Sequence, residues 1–272
     1  MKINLIAGRL FACIAITVTF LTAAVVLLAL PIGSIDTSHT YVGAGIIPNV
    51  LGETGFTGGD GYIACSGTLV SPRVFLTAGH CVNAVILAGV ISQLVVTFDA
   101  TNIFPPPADA ISASSVALMP GYQHISSQVP DINDVGVVIL AKPVRNITPA
   151  QLPPVAFLDD YPAFNKATLL LVGYGMNEQL VWAGNRMITT AAVVNLNDTW
   201  FKYNPGTCTG DDGGPSLLTD GSTEYQIGIH ASITSNTGQG TTVDGCGPNG
   251  YDTRIDTVAV QSFIQQQIAA NP

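Results

Sequence analysis

The chain has 272 residues, of which 10% are charged, and a net charge of −9. With an N-terminal leader set aside, about 240 residues remain, enough for one domain with a sizeable core or a pair of small barrels. Its nine Lys plus Arg residues are scattered singly, which argues against a phosphate-tracking surface and against nucleic acid as a partner.

The leader comes first. Lys2 and Arg9 precede an uncharged apolar run from Leu10 to Leu30, followed by Pro31, Ile32, Gly33 and Ser34. This order reads as an export signal covering residues 1–33, with a single exported domain over residues 34–272. The turn-prone stretch after the run lacks a basic flank, so we read the signal as cleaved and the protein as secreted. The run reaches the roughly 20 residues that span a bilayer, so the alternative is an uncleaved signal anchor holding the domain on the outer face.

Four cysteines remain beyond the leader: Cys65, Cys81, Cys208 and Cys246. They allow three pairings, and the simplest is two local bridges, Cys65 with Cys81 and Cys208 with Cys246, in an oxidising compartment. No close Cys pair or His pair has zinc-ligand spacing, so neither a metal nor a cofactor is expected.

From Tyr41 onward, short apolar runs alternate with turn residues: Gly67 to Leu76, Ala84 to Val90, Leu94 to Phe98, Val135 to Leu140, Ala167 to Val172 and Tyr225 to His230. The runs are rich in Val, Ile, Thr and Phe and are bounded by Gly, Pro, Asn or Asp. They predict strands of an all-β sandwich or barrel. Val258 to Ile268 breaks the pattern, with Val260, Phe263, Ile264 and Ile268 at helical spacing among glutamines, and predicts a closing amphipathic helix. Phe104 to Ala113 and Ser232 to Gly250 read as surface excursions that supply little core. Asn146-Ile147-Thr148 and Asn197-Asp198-Thr199 match the N-glycosylation acceptor pattern.

Three distant segments fit parts of one acyl-transfer site. In Cys65 to Cys81 an apolar strand leads to Thr77-Ala78-Gly79-His80-Cys81, and a bridge across the segment would hold His80 as a general base. In Asn133-Asp134-Val135-Gly136-Val137-Val138-Ile139-Leu140 an acid stands at the mouth of a wholly apolar strand, where Asp134 can orient an imidazole through Nδ1. In Gly206-Thr207-Cys208-Thr209-Gly210-Asp211-Asp212-Gly213-Gly214-Pro215 glycines crowd a turn, so that the N–H groups of Gly210 and Asp212 can converge as an oxyanion hole.

With these blocks in the order His, Asp, nucleophile, the chain resembles the trypsin and chymotrypsin family of serine proteases. The similarity runs from about His39 to the C-terminal helix, and Gly250-Tyr251-Asp252-Thr253-Arg254-Ile255 resembles the family's late strand. The resemblance implies an all-β fold of two six-stranded antiparallel β-barrels with the site between them and a C-terminal helix. It further implies a monomer that takes polypeptide.

Several positions depart from the family pattern. Where the family has its serine nucleophile, this sequence has Asp212. A carboxylate ionised at neutral pH attacks an amide poorly, repels a developing oxyanion and, with Asp134, should hold His80 protonated and unable to act as a base. Ser216, four residues downstream, stands too far along the chain to substitute. The acid before the nucleophile position is Asp211, but no basic cleavage residue precedes His39-Thr40-Tyr41-Val42-Gly43-Ala44, so zymogen-style activation is not expected. The family's pocket-floor position corresponds to Gly206, which argues against cleavage after Lys or Arg. Ala231, Ser232 and Ile233 should line the side of that pocket, with Ile233 narrowing its entrance. His39, His124 and His230 match no catalytic block and read as surface or satisfied histidines. The expected protein is thus an exported protease homologue that binds polypeptide without hydrolysing it. The alternatives are an active secreted endopeptidase of non-tryptic specificity and an inert surface protein.

Overall fold

The computed structural model describes residues 33–48, 62–125, 130–177, 182, 184–234 and 245–272. The leader lies outside them, and among the described residues no helix is long and apolar enough to cross a membrane.

The first barrel closes through strands β2 (Val42–Pro48), β3 (Tyr62–Ser71), β4 (Val74–Thr77), β5 (Val95–Thr97), β6 (Ile111–Leu118) and β7 (Gly136–Leu140), in the order β2-β3-β4-β7-β6-β5. Because successive side chains of a strand point to opposite faces, β7 divides its apolar run between two cores. Val138 and Leu140 join Leu69, Phe75 and Val96 inside the barrel. Val137 and Ile139 face outward and pack with Val74, Leu76 and the C-terminal helix. Two-sided burial is why this strand shows no polar alternation.

The second barrel is formed by β8 (Thr168–Gly173), β9 (Met187–Leu196), β10 (Trp200–Asn204), β11 (Pro215–Asp220), β12 (Thr223–Thr234) and β13 (Asn249–Arg254). The sheet runs β9-β10-β13-β12-β11-β8 and closes by pairing β8 with β9, while β1 (Ser34–Ile35) adds to the outer edge of β9. Leu169, Leu171, Ala191, Val193, Phe201, Tyr203, Leu218 and Ile227 fill it, with Leu158 of the short helix α2 (Phe157–Asp160) closing one end. Each such apolar side chain contributes about 1.5–3 kcal/mol by leaving water. The fold is therefore two closed six-stranded antiparallel barrels, as the resemblance implies.

The predicted closing helix is α3 (Val258–Ala270). Thr257 caps it by accepting from the Val260 N–H, and Val260, Phe263 and Ile264 pack against β4 of the first barrel and Ile229 of the second. Elsewhere the structure corrects the sequence reading. The run from Ala84 to Val90 is not a strand but belongs mostly to helix α1 (Gly79–Ala88), which buries Cys81, Val82 and Val85 on one side and ends at Gly89 with φ of 67°. A short apolar run fits either period, and here the left-handed glycine and the bridge at Cys81 decide for helix. Gly67 to Leu76 spans two strands with a turn at Pro72 and Arg73. The excursion at Phe104 to Ala113 ends early, because β6 begins at Ile111, and that at Ser232 to Gly250 is shortened by β12 and β13, with residues 235–244 outside the described set.

A buried ion pair ties the N-terminal segment to both barrels. Arg186 donates Nε to Asp36 Oδ2 at 2.9 Å and Nη1 to the carbonyls of Val42 and Phe98 at 3.0 and 3.1 Å, and Asp36 also accepts from the Ser38 and His39 N–H groups. Both side chains are almost wholly buried. Asp36→Ala is expected to lower stability by about 3–5 kcal/mol, because the guanidinium is left buried and unpaired. Adding Arg186→Met should restore part of that loss. Urea denaturation of the two variants checks this, and equal losses would show that the pair itself is not what matters.

Candidate active site

The first barrel supplies two of the expected groups. β4 delivers the chain into α1, where His80 sits in the first turn, and the Cys65–Cys81 disulfide ties that turn to β3. Asp134 lies just before β7, 1% exposed, and takes His80 from two directions. Its Oδ1 accepts the His80 backbone N–H at 2.7 Å and its Oδ2 accepts from Nδ1 at 2.9 Å. The tautomer is thereby fixed, with Nε2 turned away from Asp134 and 3.5 Å from Cys81 Sγ. The ring keeps 30% of its side-chain surface exposed.

The second barrel supplies the turn from Gly210 to Gly214. Gly210 and Gly213 have φ of 93° and 86°, a region L side chains avoid. A Cβ on Gly213 would collide with Thr77 Oγ1, and one on Gly210 with the Trp182 ring. The N–H groups of Asp211, Gly213 and Gly214 donate to the carbonyls of Cys208, His230 and Asp211, whereas those of Gly210 and Asp212 donate to no described residue. Ser66 of β3 reaches across the seam. Its N–H donates to the Asp212 carbonyl at 2.9 Å and its hydroxyl to the Gly210 carbonyl at 2.8 Å.

The charges in this space are strongly coupled. Burial works against a charged His80 ring, but the Asp134 charge and hydrogen bond, followed by the charges of Asp212 and Asp131, push it up to about 10. Asp212 acts on the ring through its charge alone. Burial, helped by Asp211 and Asp134 and opposed by His80 and His230, pushes the Asp212 carboxyl up to about 6. It is therefore less acidic than the free side chain, and its proton is lost only as neutral pH is approached.

Asp211 turns inward. Its Oδ2 accepts the Cys208 N–H at 2.9 Å and its Oδ1 the Gly175 N–H at 2.8 Å, and burial still raises its carboxyl above the ordinary range. It borders a cavity of about 140 Å³ whose wall also holds Gly206, Cys208, Met176, Ile188 and His230. The Cys208–Cys246 disulfide forms part of this wall. Ala231 is buried and Ser232 half-buried on β12, and neither borders the cavity. The side chain of Ile233 lies outside the described set. Ser216 is fully buried in β11.

Of the histidines without a catalytic block, His39 pairs with Asp36, and His124 pairs with Asp131 on the surface. His230 differs from the expectation of a satisfied side chain. It is fully buried, its Nδ1 lies 3.0 Å from Asp252 Oδ1 and 3.2 Å from the Tyr203 hydroxyl, and its Nε2 has no hydrogen-bond partner among the described residues. Burial lowers the affinity of the ring for a proton, but Asp252, Asp211 and Asp212 outweigh this and raise it. The two residues lie in polar-rich strands, β12 and β13, and only the strand register sets His230 opposite Asp252.

A family model described as Trypsin matches residues 52–257. The chain belongs to the trypsin family. A trypsin-like protease of Streptomyces glaucescens is 23% identical over 187 residues, covering 61% of this chain and 64% of that protein, so the match spans somewhat under two thirds of the relative. Among solved structures, HL collagenase superposes with a TM-score of 0.63 at 18% identity, over 88% of this chain and 97% of the other. At that identity the likeness is one of fold.

For this trypsin-family chain, His80 should stay protonated well above neutral pH. Its stabilising pairing with Asp134 is then fully present below the ring's ordinary value of roughly 6.5 and fades as pH rises through about 10. Imidazole NMR across pH 5–11 should show the ring titrating near the top of that range, and Asp134→Asn should move it down by several pH units. A midpoint below 7 in the unmodified protein would contradict the assignment.

Proposed function

We propose that this chain is an exported trypsin-family protein that holds polypeptide between its barrels without hydrolysing it. The observation that carries this reading is Asp212, the residue on the Gly210–Gly214 turn at the point where the family resemblance puts the nucleophile. Peptide hydrolysis in this family needs a hydroxyl that yields its proton to a neutral imidazole and becomes the attacking oxygen. Asp212 carries no hydroxyl of that kind and is largely ionised at neutral pH, where the His80 ring is already protonated. An ionised Asp212 also puts negative charge beside the Gly210 and Asp212 N–H groups, where a tetrahedral intermediate would need to place its own.

The remaining parts support retention of a binding cleft. The Asp134–His80 pair, the left-handed glycines of the turn and the bridge at Cys65 and Cys81 are all intact. Gly206 remains our candidate for the floor of a pocket for one substrate side chain, in a cavity that Asp211 also borders, with Ala231, Ser232 and Ile233 proposed along its side from the family resemblance alone. The leader and the two disulfides support an extracellular location. The intact Asp134–His80 pair also favours a second reading, an active endopeptidase of non-tryptic specificity, against which Asp212 stands alone.

Treatment with a fluorophosphonate probe separates the two. The unmodified protein should remain unlabelled and Asp212→Ser should become labelled, because serine restores a nucleophile to an otherwise assembled site. Labelling of the unmodified protein would establish the second reading.

A further inference from the structure

We propose that the site between the barrels captures the free C-terminal carboxylate of a polypeptide, more strongly in mild acid than at neutral pH, with Asp212 as the gate. This rests on the reading that the cleft binds polypeptide without cutting it. A chain end differs from an internal peptide only by carrying a carboxylate where the next amide would be, so the question is what the site offers to an anion.

It offers two backbone donors and a cation. The N–H groups of Gly210 and Asp212 donate to no described residue, on a turn whose other amides are committed. His80 is kept cationic by Asp134, which is buried behind it and accepts from its backbone N–H and its Nδ1, while Nε2 lies on the other side of the ring, 3.5 Å from Cys81 Sγ. The ring is 30% exposed and Asp212 half-buried, so solvent and a chain end can reach both. An internal peptide carbonyl would accept from the same N–H groups but carries no charge for the imidazolium to attract.

Asp212 opposes such an anion when ionised, since two carboxylates at one spot cannot both keep their charge. When protonated, it removes that repulsion and offers its own O–H to the incoming carboxylate. The charged groups that face it are His80 from α1, Asp134 from the approach to β7, Asp211 from the same turn and His230 from β12, while Asp131 reaches His80. Their balance, with burial, holds the carboxyl near 6, so mild acid is enough to open the gate. Binding above that pH must take up one proton, and binding below it none.

Equilibrium dialysis tests this with a mixed-sequence tetrapeptide pool bearing free C-terminal carboxylates and the same pool amidated, each at pH 5 and pH 7.5. The carboxylate pool should bind about ten- to thirtyfold more tightly at pH 5 than at pH 7.5, and the amidated pool should show no such change. Asp212→Asn should bind the carboxylate pool equally at both pH values, and Asp212→Ala serves the same purpose if the asparagine variant does not fold. Equal binding of both pools, or tighter carboxylate binding at pH 7.5, would overturn carboxylate capture while leaving polypeptide binding in place. Failure of both pools to bind at either pH would remove the polypeptide-binding reading itself, and this inference with it.

Discussion

Ser66 is where the two barrels become one site. It sits in β3, fully buried, and two of its polar groups make three hydrogen bonds at the seam: its N–H donates to the Asp212 carbonyl, its hydroxyl donates to the Gly210 carbonyl, and the same hydroxyl accepts the Tyr174 N–H at 2.9 Å. Its own carbonyl is held by the Thr77 hydroxyl at 2.7 Å, two residues before α1 begins. The strand that leads to His80 and the turn that carries Asp212 are therefore positioned from one residue. Drawing the carbonyls of Gly210 and Asp212 into the seam leaves the turn folded with two N–H groups that donate to no described residue, and Gly213 packs so close to Thr77 that no side chain fits between them. Each hydrogen bond contributes only about 0.5–1.5 kcal/mol to stability. Their importance lies in fixing position, since the chemistry of such a site tolerates displacements well under 1 Å.

On that frame the protein concentrates four carboxyls, Asp134, Asp211, Asp212 and Asp252, around two imidazoles, His80 and His230. Each ring is paired through Nδ1 with one buried acid, at 2.9 Å for His80 and 3.0 Å for His230. Burial raises the carboxyls of the two other acids, Asp211 and Asp212. A serine at position 212 would add no charge to this set. The aspartate adds one that the site can accommodate only by keeping His80 protonated or by holding a proton on Asp212 itself. On the function proposed above, neither outcome supplies the attacking hydroxyl that hydrolysis requires.

Much of this was legible in the sequence because catalytic motifs are local. Thr77 to Cys81, the Asp134 strand and the Gly210 to Pro215 turn each carry their chemistry within ten residues, and the structure brings them together as their order suggested. The two bridges follow the same logic, each closing a segment that contains one motif. What escaped was non-local or ambiguous. Ala84 to Val90 has too few residues for its period to separate helix from strand, and only its surroundings decide. The Asp36–Arg186 pair joins residues 150 positions apart, and His230 meets Asp252 only because β12 and β13 are neighbours in the second barrel. The raised carboxyl of Asp212 is non-local in the same way. A lone aspartate is ionised well below neutral pH, and only three-dimensional burial among other acids moves it to about 6.

Asp211 holds the turn from its inner side. Its two oxygens accept the N–H groups of Cys208 and Gly175, which bracket the turn from opposite sides, and this holds the carboxylate inward. Two amide donors do not fully replace water around a buried charge, which is why burial remains the strongest influence on this carboxyl and raises it. The shortfall is partly met by His230, whose ring borders the same cavity and whose peptide grips the turn at both ends, accepting from the Gly213 N–H and donating to the Gly214 carbonyl. The turn is thus held by a residue of β12 that is itself anchored to Asp252 on β13. Geometry that depends on strand pairing inside a closed barrel forms when the barrel forms.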